Sequence, residues 1–274
     1  MSGHGVESSA PAAAISVWLW GLDNPAPMPE LSSILSEEEL ARARRYRREI
    51  DRMRFVTSRG GMRKILGDFL GVPPQDLRFG FGPFGKPYLV WPSETSVRFN
   101  LAHSGSLAIL AISEVGEVGV DVECSRKPVN SSGLANRFFS PEEAAVLSHV
   151  PCEEQVRLFL RFWTCKEAVL KAIGVGLTLG LEKVVIPWLL EEPSGVSPPV
   201  YKAGEWEASP KKLELVLPAT RGSFTREQGV SQRQEWWIWE WRPAPDYFAA
   251  VACSYPWHYT LIRWWPPGRE QHGT

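Results

Sequence analysis

Arg54-Phe55-Val56-Thr57-Ser58-Arg59 recurs in character as Arg161-Phe162-Trp163-Thr164-Cys165-Lys166, 107 positions later in a chain of 274 residues. At the same offset Lys64 falls on Lys171 and Gly67 on Gly174. Each copy follows a helix start, Ser36-Glu37-Glu38-Glu39 for the first and Ser140-Pro141-Glu142-Glu143 for the second. In both, the Ser hydroxyl can accept a helix N–H while the Glu three residues on reaches back, and Pro141 suits a first helical position. Leu107-Ala108-Ile109-Leu110-Ala111-Ile112-Ser113 is echoed by Phe248-Ala249-Ala250-Val251-Ala252-Cys253-Ser254. A chance match of two basic helices is the alternative to a duplication. The duplication implies an α+β protein of two similar α+β halves, related by a pseudo-twofold, with the active site in the cleft between them.

The local patterns fill in these halves. Residues 15–20 read as a strand, and helical character runs from Ser36 to about Leu70, as two helices because Gly60-Gly61 is a weak point. Residues 71–85 read as a loop; 88–91, 96–102, 107–113 and 117–123 read as strands. A helix is expected over 154–173, then strands at about 180–187, 212–217, 234–241, 247–254 and 258–264. Surface loops are expected at 191–199 and 219–232. The division is a disordered leader 1–13, an N-terminal half 14–123, a C-terminal half 124–265 and a flexible tail 266–274.

A net charge of −1 gives no global field for nucleic acid or an anionic membrane, so neither is expected as a partner. Locally, ten of the 30 basic residues lie between Arg42 and Lys64, which is either a solvated helix face or the footprint of an anionic ligand. The four cysteines have no metal-type spacing, and a chain of this length needs no disulfide. Residues 10–22 are apolar without a preceding Lys or Arg, which does not read as a signal peptide. No run approaches the roughly 20 apolar residues of a membrane span, and a cytoplasmic location is expected.

Four segments carry candidate chemistry. In Gly119-Val120-Asp121-Val122-Glu123, strand alternation turns both carboxylates one way and both valines the other, with Gly119 leaving space beside the acids. Paired carboxylates repel unless a cation or proton intervenes, and oxygen ligands suit Mg²⁺; a wet polar strand face is the other reading. In Trp163-Thr164-Cys165-Lys166-Glu167-Ala168-Val169-Leu170-Lys171, Trp163, Glu167 and Lys171 stack on one helix face. Glu167 and Lys171 are there either a surface ion pair or a site. Phe99-Asn100-Leu101-Ala102-His103-Ser104-Gly105 ends a strand in a turn whose N–H groups, His103 and Ser104 suit a phosphate. Gly85-Lys86-Pro87 places one cation on a turn.

In this order, the four segments resemble the motifs of the 4′-phosphopantetheinyl transferases, in their long, two-half (Sfp-type) class. The resemblance covers about Ser36 to Leu181, is strengthened by Ala172-Ile173-Gly174-Val175-Gly176-Leu177, and extends loosely to Tyr247–Ser254. It implies transfer of the 4′-phosphopantetheine group of coenzyme A to a serine of an apo carrier protein, with Mg²⁺ as cofactor and 3′,5′-ADP released. Asp121, Glu123 and Glu167 are then the metal ligands, and Glu123 is the least universal of them in the family. Glu167 is also the implied base, and Lys171 neutralises phosphate charge. His103 meets the 3′-phosphate, Arg59 and Lys86 bind phosphate or adenine-side groups, and Pro87, Leu101 and Ser104 line the nucleotide site. Many members have Ser where Ala102 stands, so this turn relies on backbone N–H groups. The region of Arg137-Phe138-Phe139 is implied in carrier contact. Two fused halves imply that a monomer suffices. A non-catalytic coenzyme A or carrier-binding module of the same fold is the alternative, disfavoured by the presence of all three carboxylates and Lys171. A different Mg²⁺-dependent phosphotransferase is disfavoured by the lack of a phosphate-loop or dinucleotide glycine motif.

Overall fold

A computed structural model describes residues 14–23, 28–126, 129–191, 198–201, 204–217 and 232–266. The expected leader, nearly all of the expected tail and most of the two expected loops lie outside the described residues. The chain runs β1 (Ala14–Gly21), α1 (Met28–Ser33), α2 (Glu37–Arg44), α3 (Glu49–Leu70), β2 (Arg78–Phe81), β3 (Pro87–Trp91), β4 (Arg98–Ser104), β5 (Leu107–Ser113) and β6 (Val118–Cys124). It continues with α4 (Ser131–Phe138), α5 (Pro141–His149), α6 (Cys152–Ile173), α7 (Pro187–Glu191), β7 (Gly204–Glu207), β8 (Lys211–Leu217), β9 (Gln232–Trp241), β10 (Tyr247–Cys253) and β11 (Tyr259–Trp264).

The duplication is visible in the topology. In the first sheet, ordered β4-β5-β1-β11-β7, β5 lies antiparallel between β1 and β4. In the second, ordered β6-β10-β9-β8, β10 lies antiparallel between β6 and β9. Both halves therefore run strand, helices, strand, strand, with the last strand inserted between the other two. The echo of Leu107–Ser113 in Phe248–Ser254 falls on the equivalent central strands. Both reciprocal serine caps form, Ser36 with Glu39 and Ser140 with Glu143.

The helical repeat is real, but its register differs from the sequence match by one turn. Helices α3 and α6 both span 22 residues and end on left-handed glycines, Gly71 (φ 68°) and Gly174 (φ 79°). Their offset is 103 (174 − 71), four less than 107. A four-residue slip is close to one helical turn, so it keeps the same face and a similar residue pattern. The offset of 103 also superimposes Arg63 on Lys166. Arg63 bonds Glu39 at 2.7 Å and the carbonyls of Pro74 and Leu77, both at 3.0 Å. Lys166 bonds Glu143 at 2.6 Å and the carbonyls of Leu181 and Val184. In each half a buried cation thus ties the cap glutamate of the preceding helix to the segment that follows.

Three local expectations change for physical reasons. The break before α3 falls at residues 45–48, while Gly60 and Gly61 stay helical. A Cβ on them would come within 2.9 Å of Leu31 and 2.7 Å of the Trp20 indole, so these glycines serve close packing. Residues 181–187 are not a strand: the Leu181 and Val184 carbonyls turn inward onto Lys166, and a 3₁₀ turn precedes α7. The expected loop 71–85 contains β2, which pairs with β3 as a separate ribbon.

The layers follow from alternation along the strands. Val118, Val120 and Val122 of β6 join Ile15, Val17, Ile109, Trp239, Trp241 and Val251 in one core between the two sheets. On the outer face of the first sheet, Met62, Ile65 and Leu66 of α3 pack on Phe99, Leu110 and Ile112. On the outer face of the second, α6 packs on Phe248, Ala250, Ala252 and Ile238. Strands β7 and β11 complete the first sheet, β11 parallel to β1, so two strands of the later sequence cross to the earlier half. All four cysteines are free. Among the described residues, no helix is long and apolar enough to cross a membrane.

Candidate active site

With Val120 and Val122 in the inter-sheet core, the opposite face of β6 meets α6, and this is where Gly119, Asp121 and Glu123 point. Gly119 does not leave space beside the acids. A Cβ there would stand 2.1 Å from the Ala168 carbonyl oxygen and 2.3 Å from the Ala172 nitrogen, so the α6 backbone fills that room. The glycine lets strand and helix approach closely, which sets the reach of every side chain between them.

Asp121 is 4% exposed and accepts a 2.5 Å charge-assisted bond from Lys171 through Oδ1. Its Oδ2 is buried with no hydrogen-bond partner. Burial pushes the Asp121 carboxyl above its usual range, against the pull of Lys171. Lys171 has a side chain 30% exposed. Burial alone would lower it, but Asp121, Glu167 and Glu123 together hold it above its ordinary value. Glu167, one turn before it, is raised to about 7, first by burial and then by the charges of Asp121 and Glu123. Glu123 accepts a 2.8 Å bond from the Ser104 hydroxyl, which in turn accepts from the Cys124 N–H. The three carboxylates expected from sequence therefore share one electrostatic environment at the β6–α6 contact. Among the described residues no group of three or more His, Cys, Asp or Glu is drawn together tightly enough to hold a metal. The Lys171 ammonium occupies Asp121 instead.

Beside this contact opens a cavity of about 280 Å³ whose lining comes from both halves. Arg42, Tyr46, Phe55, Ser58 and Arg59 form its α2–α3 wall, and the ribbon contributes Phe84, Gly85, Lys86 and Pro87. Asn100, Leu101 and His103 come from β4, Leu170 and Lys171 from α6, and Gly174 from the position just after that helix. Arg42 and Arg59 lie over the Phe55 ring at 5.4 and 5.8 Å, and Tyr46 packs on the same ring. Burial lowers the Arg59 guanidinium from its ordinary value. Ser58 Oγ, also buried on this wall, has no hydrogen-bond partner. Partial loss of hydration, then the charges of Lys171, Arg59 and Arg54, hold the His103 imidazole below its usual value, although the residue keeps an exposed edge. Asn100 accepts from the Val120 N–H at 3.0 Å, joining the edge strands β4 and β6.

Of the expected ligand residues, Arg59, Lys86, Pro87, Leu101, His103 and Lys171 line the cavity. Ala102 does not: the residue is 4% exposed and belongs to the inter-sheet core. Ser104 spends its hydroxyl on Glu123 and the Cys124 N–H rather than on the lining. Lys86 lines the cavity with an ammonium already bonded to Glu117 and the Ala172 carbonyl. Arg42, Tyr46, Phe55, Ser58, Phe84 and Asn100 were not singled out from sequence. Asn100 lay within one of the four candidate segments, Phe55 and Ser58 within the repeat, and Arg42 within the basic segment, but none was given a role. Much of that segment is paired locally, Arg54 with Asp23, Arg63 with Glu39 and Arg52 with Glu49. In the region implied in carrier contact, Arg137 is exposed and Phe138 half-buried edge-on to Trp163, whereas Phe139 stacks in the core on Phe159.

Two family models match the chain: the 4′-phosphopantetheinyl transferase superfamily over residues 117–239, and the 4′-phosphopantetheinyl transferase N-terminal family over residues 25–115. A Synechocystis sp. relative is 41% identical over 169 residues, 62% of this chain and 68% of its own length. The 4′-phosphopantetheinyl transferase HetI of Nostoc sp. is 40% identical over 182 residues, 66% of this chain and 76% of its own. The 4′-phosphopantetheinyl transferase Sfp of Bacillus subtilis is 30% identical over 164 residues, 59% of this chain and 71% of its own. The two models together span both halves and these relatives are matched over more than two thirds of their own lengths, so this chain is an enzyme that belongs to the 4′-phosphopantetheinyl transferase superfamily.

Proposed function

We propose that the chain transfers the 4′-phosphopantetheine group of coenzyme A to a serine of an apo carrier protein, releasing 3′,5′-ADP, with Mg²⁺ as cofactor. The observation that carries this reading is the junction at Lys171: one ammonium borders both the carboxylates of the β6–α6 contact and the basic, aromatic cavity. Arg42, Arg59 and His103 supply charge for phosphate groups, and the Phe55 and Tyr46 rings supply flat apolar surface. The orphaned Ser58 hydroxyl fits a polar ligand on that wall.

The donor set fits a hard cation. Asp121 Oδ2 is buried and unpartnered, and Glu167 is raised by burial and then by two neighbouring carboxylates whose repulsion a divalent ion would relieve. Asp121 and Glu167 would hold Mg²⁺, with Glu123 as the third ligand once Ser104 yields it. When bound, the ion supplies Lewis-acid neutralisation of the pyrophosphate charge. The remaining work belongs to the protein. Glu167, poised near neutrality, accepts the proton of the carrier serine hydroxyl, directly or through water. The serine oxygen forms a bond to the phosphorus bearing pantetheine as the pyrophosphate P–O bond breaks. Lys171 meets the negative charge on the departing 3′,5′-ADP. Leu101 and Pro87 bound the nucleotide side, and the turn after Ala102 offers backbone N–H groups.

Because both halves of a single chain line the cavity, a monomer suffices for the site. The halves are taken as 14–123 and 124–265, the second lending two strands to the sheet of the first. The test is Glu167→Gln, read by transfer and by calorimetry with coenzyme A. Transfer falls about 10²–10⁴-fold, the usual worth of a general base, while coenzyme A affinity changes less than about twofold. A variant that transfers at the parental rate removes Glu167 as the base.

A further inference from the structure

Lys86 sits on the β2–β3 ribbon and lines the cavity, with two of the three donors of its ammonium engaged by the protein itself. It donates at 2.6 Å to Glu117 Oε2 and at 2.6 Å to the carbonyl oxygen of Ala172, in the last turn of α6. Its side chain is only 16% exposed. The stem lies against Gly174, where an added Cβ would come within 3.1 Å of Lys86 Cδ, so the glycine after α6 makes room for it. Glu117 is fixed in turn: Oε1 accepts from Arg98 Nε at 2.8 Å, and its N–H donates to Ser254 Oγ at 2.9 Å. Turning the ammonium toward a phosphate would weaken its hold on a carboxylate and a helix-end carbonyl that both favour a cation.

We infer that Lys86 and Glu117 form a strap that ties the ribbon to the end of α6 and fixes the width of the cavity, making Lys86 a positioning residue and not a ligand. The strap joins the loop carrying Phe84 and Pro87 to the end of the helix carrying Lys171, and both segments border the cavity. Loosening it separates the nucleotide-side surface from the phosphate-side cation, a misplacement that substrate binding must then correct. The inference rests on the assignment of this cavity to coenzyme A.

The test compares Lys86→Met, Glu117→Gln, the double variant, Lys86→Arg and Arg98→Met. Coenzyme A affinity is measured by calorimetry at several salt concentrations, with KM and kcat for transfer and the Tm of each protein. Lys86→Met and Glu117→Gln each raise Kd and KM about tenfold, and the double variant is no worse than either, as expected of two ends of one link. The dependence of Kd on salt stays parental because no phosphate contact is lost. Lys86→Arg recovers most of the loss, and Arg98→Met stays within about twofold. A Glu117→Gln enzyme of parental affinity beside a weakened Lys86→Met enzyme with a flatter salt dependence would make Lys86 a direct ligand and overturn the strap. A lowered Tm with unchanged KM would reduce the pair to a structural contact. An Arg98→Met loss equal to that of Glu117→Gln would move the effect to Arg98. A wild-type enzyme that does not bind coenzyme A would instead overturn the cavity's assignment and the strap with it.

Discussion

Glu167 and Lys171 lie one turn apart on α6, and the same carboxylates push both to hold a proton more tightly. For Lys171 this keeps the ammonium charged. For Glu167 it places the titration of a carboxylate near neutrality, with a consequence for stability. Its folded value of about 7 lies above the ordinary 4.5, so between those values the metal-free folded protein binds more protons than the unfolded chain. Stability therefore falls as pH rises from about 4.5 to 7. Urea unfolding in EDTA should show this fall in the wild type and a shallower one in Glu167→Gln; parallel curves would refute the shift. At the partner carboxylate, Asp121→Asn leaves the Lys171 ammonium half-buried without its counter-charge. Transfer should drop at least about 100-fold and lose its response to Mg²⁺ titration, whereas a normal titration would exclude Asp121 as a ligand. Much of this was legible in the sequence, because strand alternation alone turns Asp121 and Glu123 to one face. What alternation cannot show is which neighbour occupies that face. Ser104 reads as a lining hydroxyl until β4 and β6 are seen side by side, and Ala102 as part of a turn until its methyl is found in the core.

The contact between β6 and α6 is the element on which the site depends, and two residues without chemistry of their own control it. Gly119→Ala drives a methyl into the α6 backbone, where the Ala168 and Ala172 atoms cannot rotate away. The expected cost is about 3 kcal/mol, the upper end for overpacking, with transfer lost even in the folded fraction. Denaturant unfolding and activity measure the two effects; a stable, active Gly119→Ala protein would contradict the close approach. On the other side of α6, Lys166 is fully buried against Glu143, itself fully buried and bonded to the Ser140 and Ile186 N–H groups. Lys166→Met leaves that carboxylate unpaired in the interior and should cost about 3–5 kcal/mol. Adding Glu143→Leu should recover only part, because the α5 cap goes with it; full recovery would show that the cap contributes nothing. The caps and the helix length were readable from Ser, Glu and Gly placement. The buried cations were not, since Lys166 sits in a run with Glu167 and Lys171 that reads equally well as a wet helix face.

At the scale of the whole molecule, the duplicated topology makes one cavity out of two walls, α2–α3 from the first half and α6 from the second. The repeat in the sequence was enough to foresee two α+β halves and a site between them. It placed the helices one turn out of register because a four-residue slip preserves the face, and only the terminal glycines and the buried cations fix the true alignment. The strand exchange by which β7 and β11 join the first sheet had no local signal, because pairing partners far apart in sequence are chosen by packing and not by pattern. The central claim is that this joint site moves phosphopantetheine to a carrier serine with Mg²⁺ at Asp121, Glu123 and Glu167. The most direct measurement is the mass of an apo carrier protein after incubation with the enzyme and coenzyme A, with Mg²⁺ or with EDTA, alongside quantitation of 3′,5′-ADP. The expected result is a gain of one phosphopantetheine per carrier, one 3′,5′-ADP formed for each, and neither in EDTA. A carrier of unchanged mass across fatty-acid, polyketide and peptide-synthetase carriers, or full modification in EDTA, would contradict it.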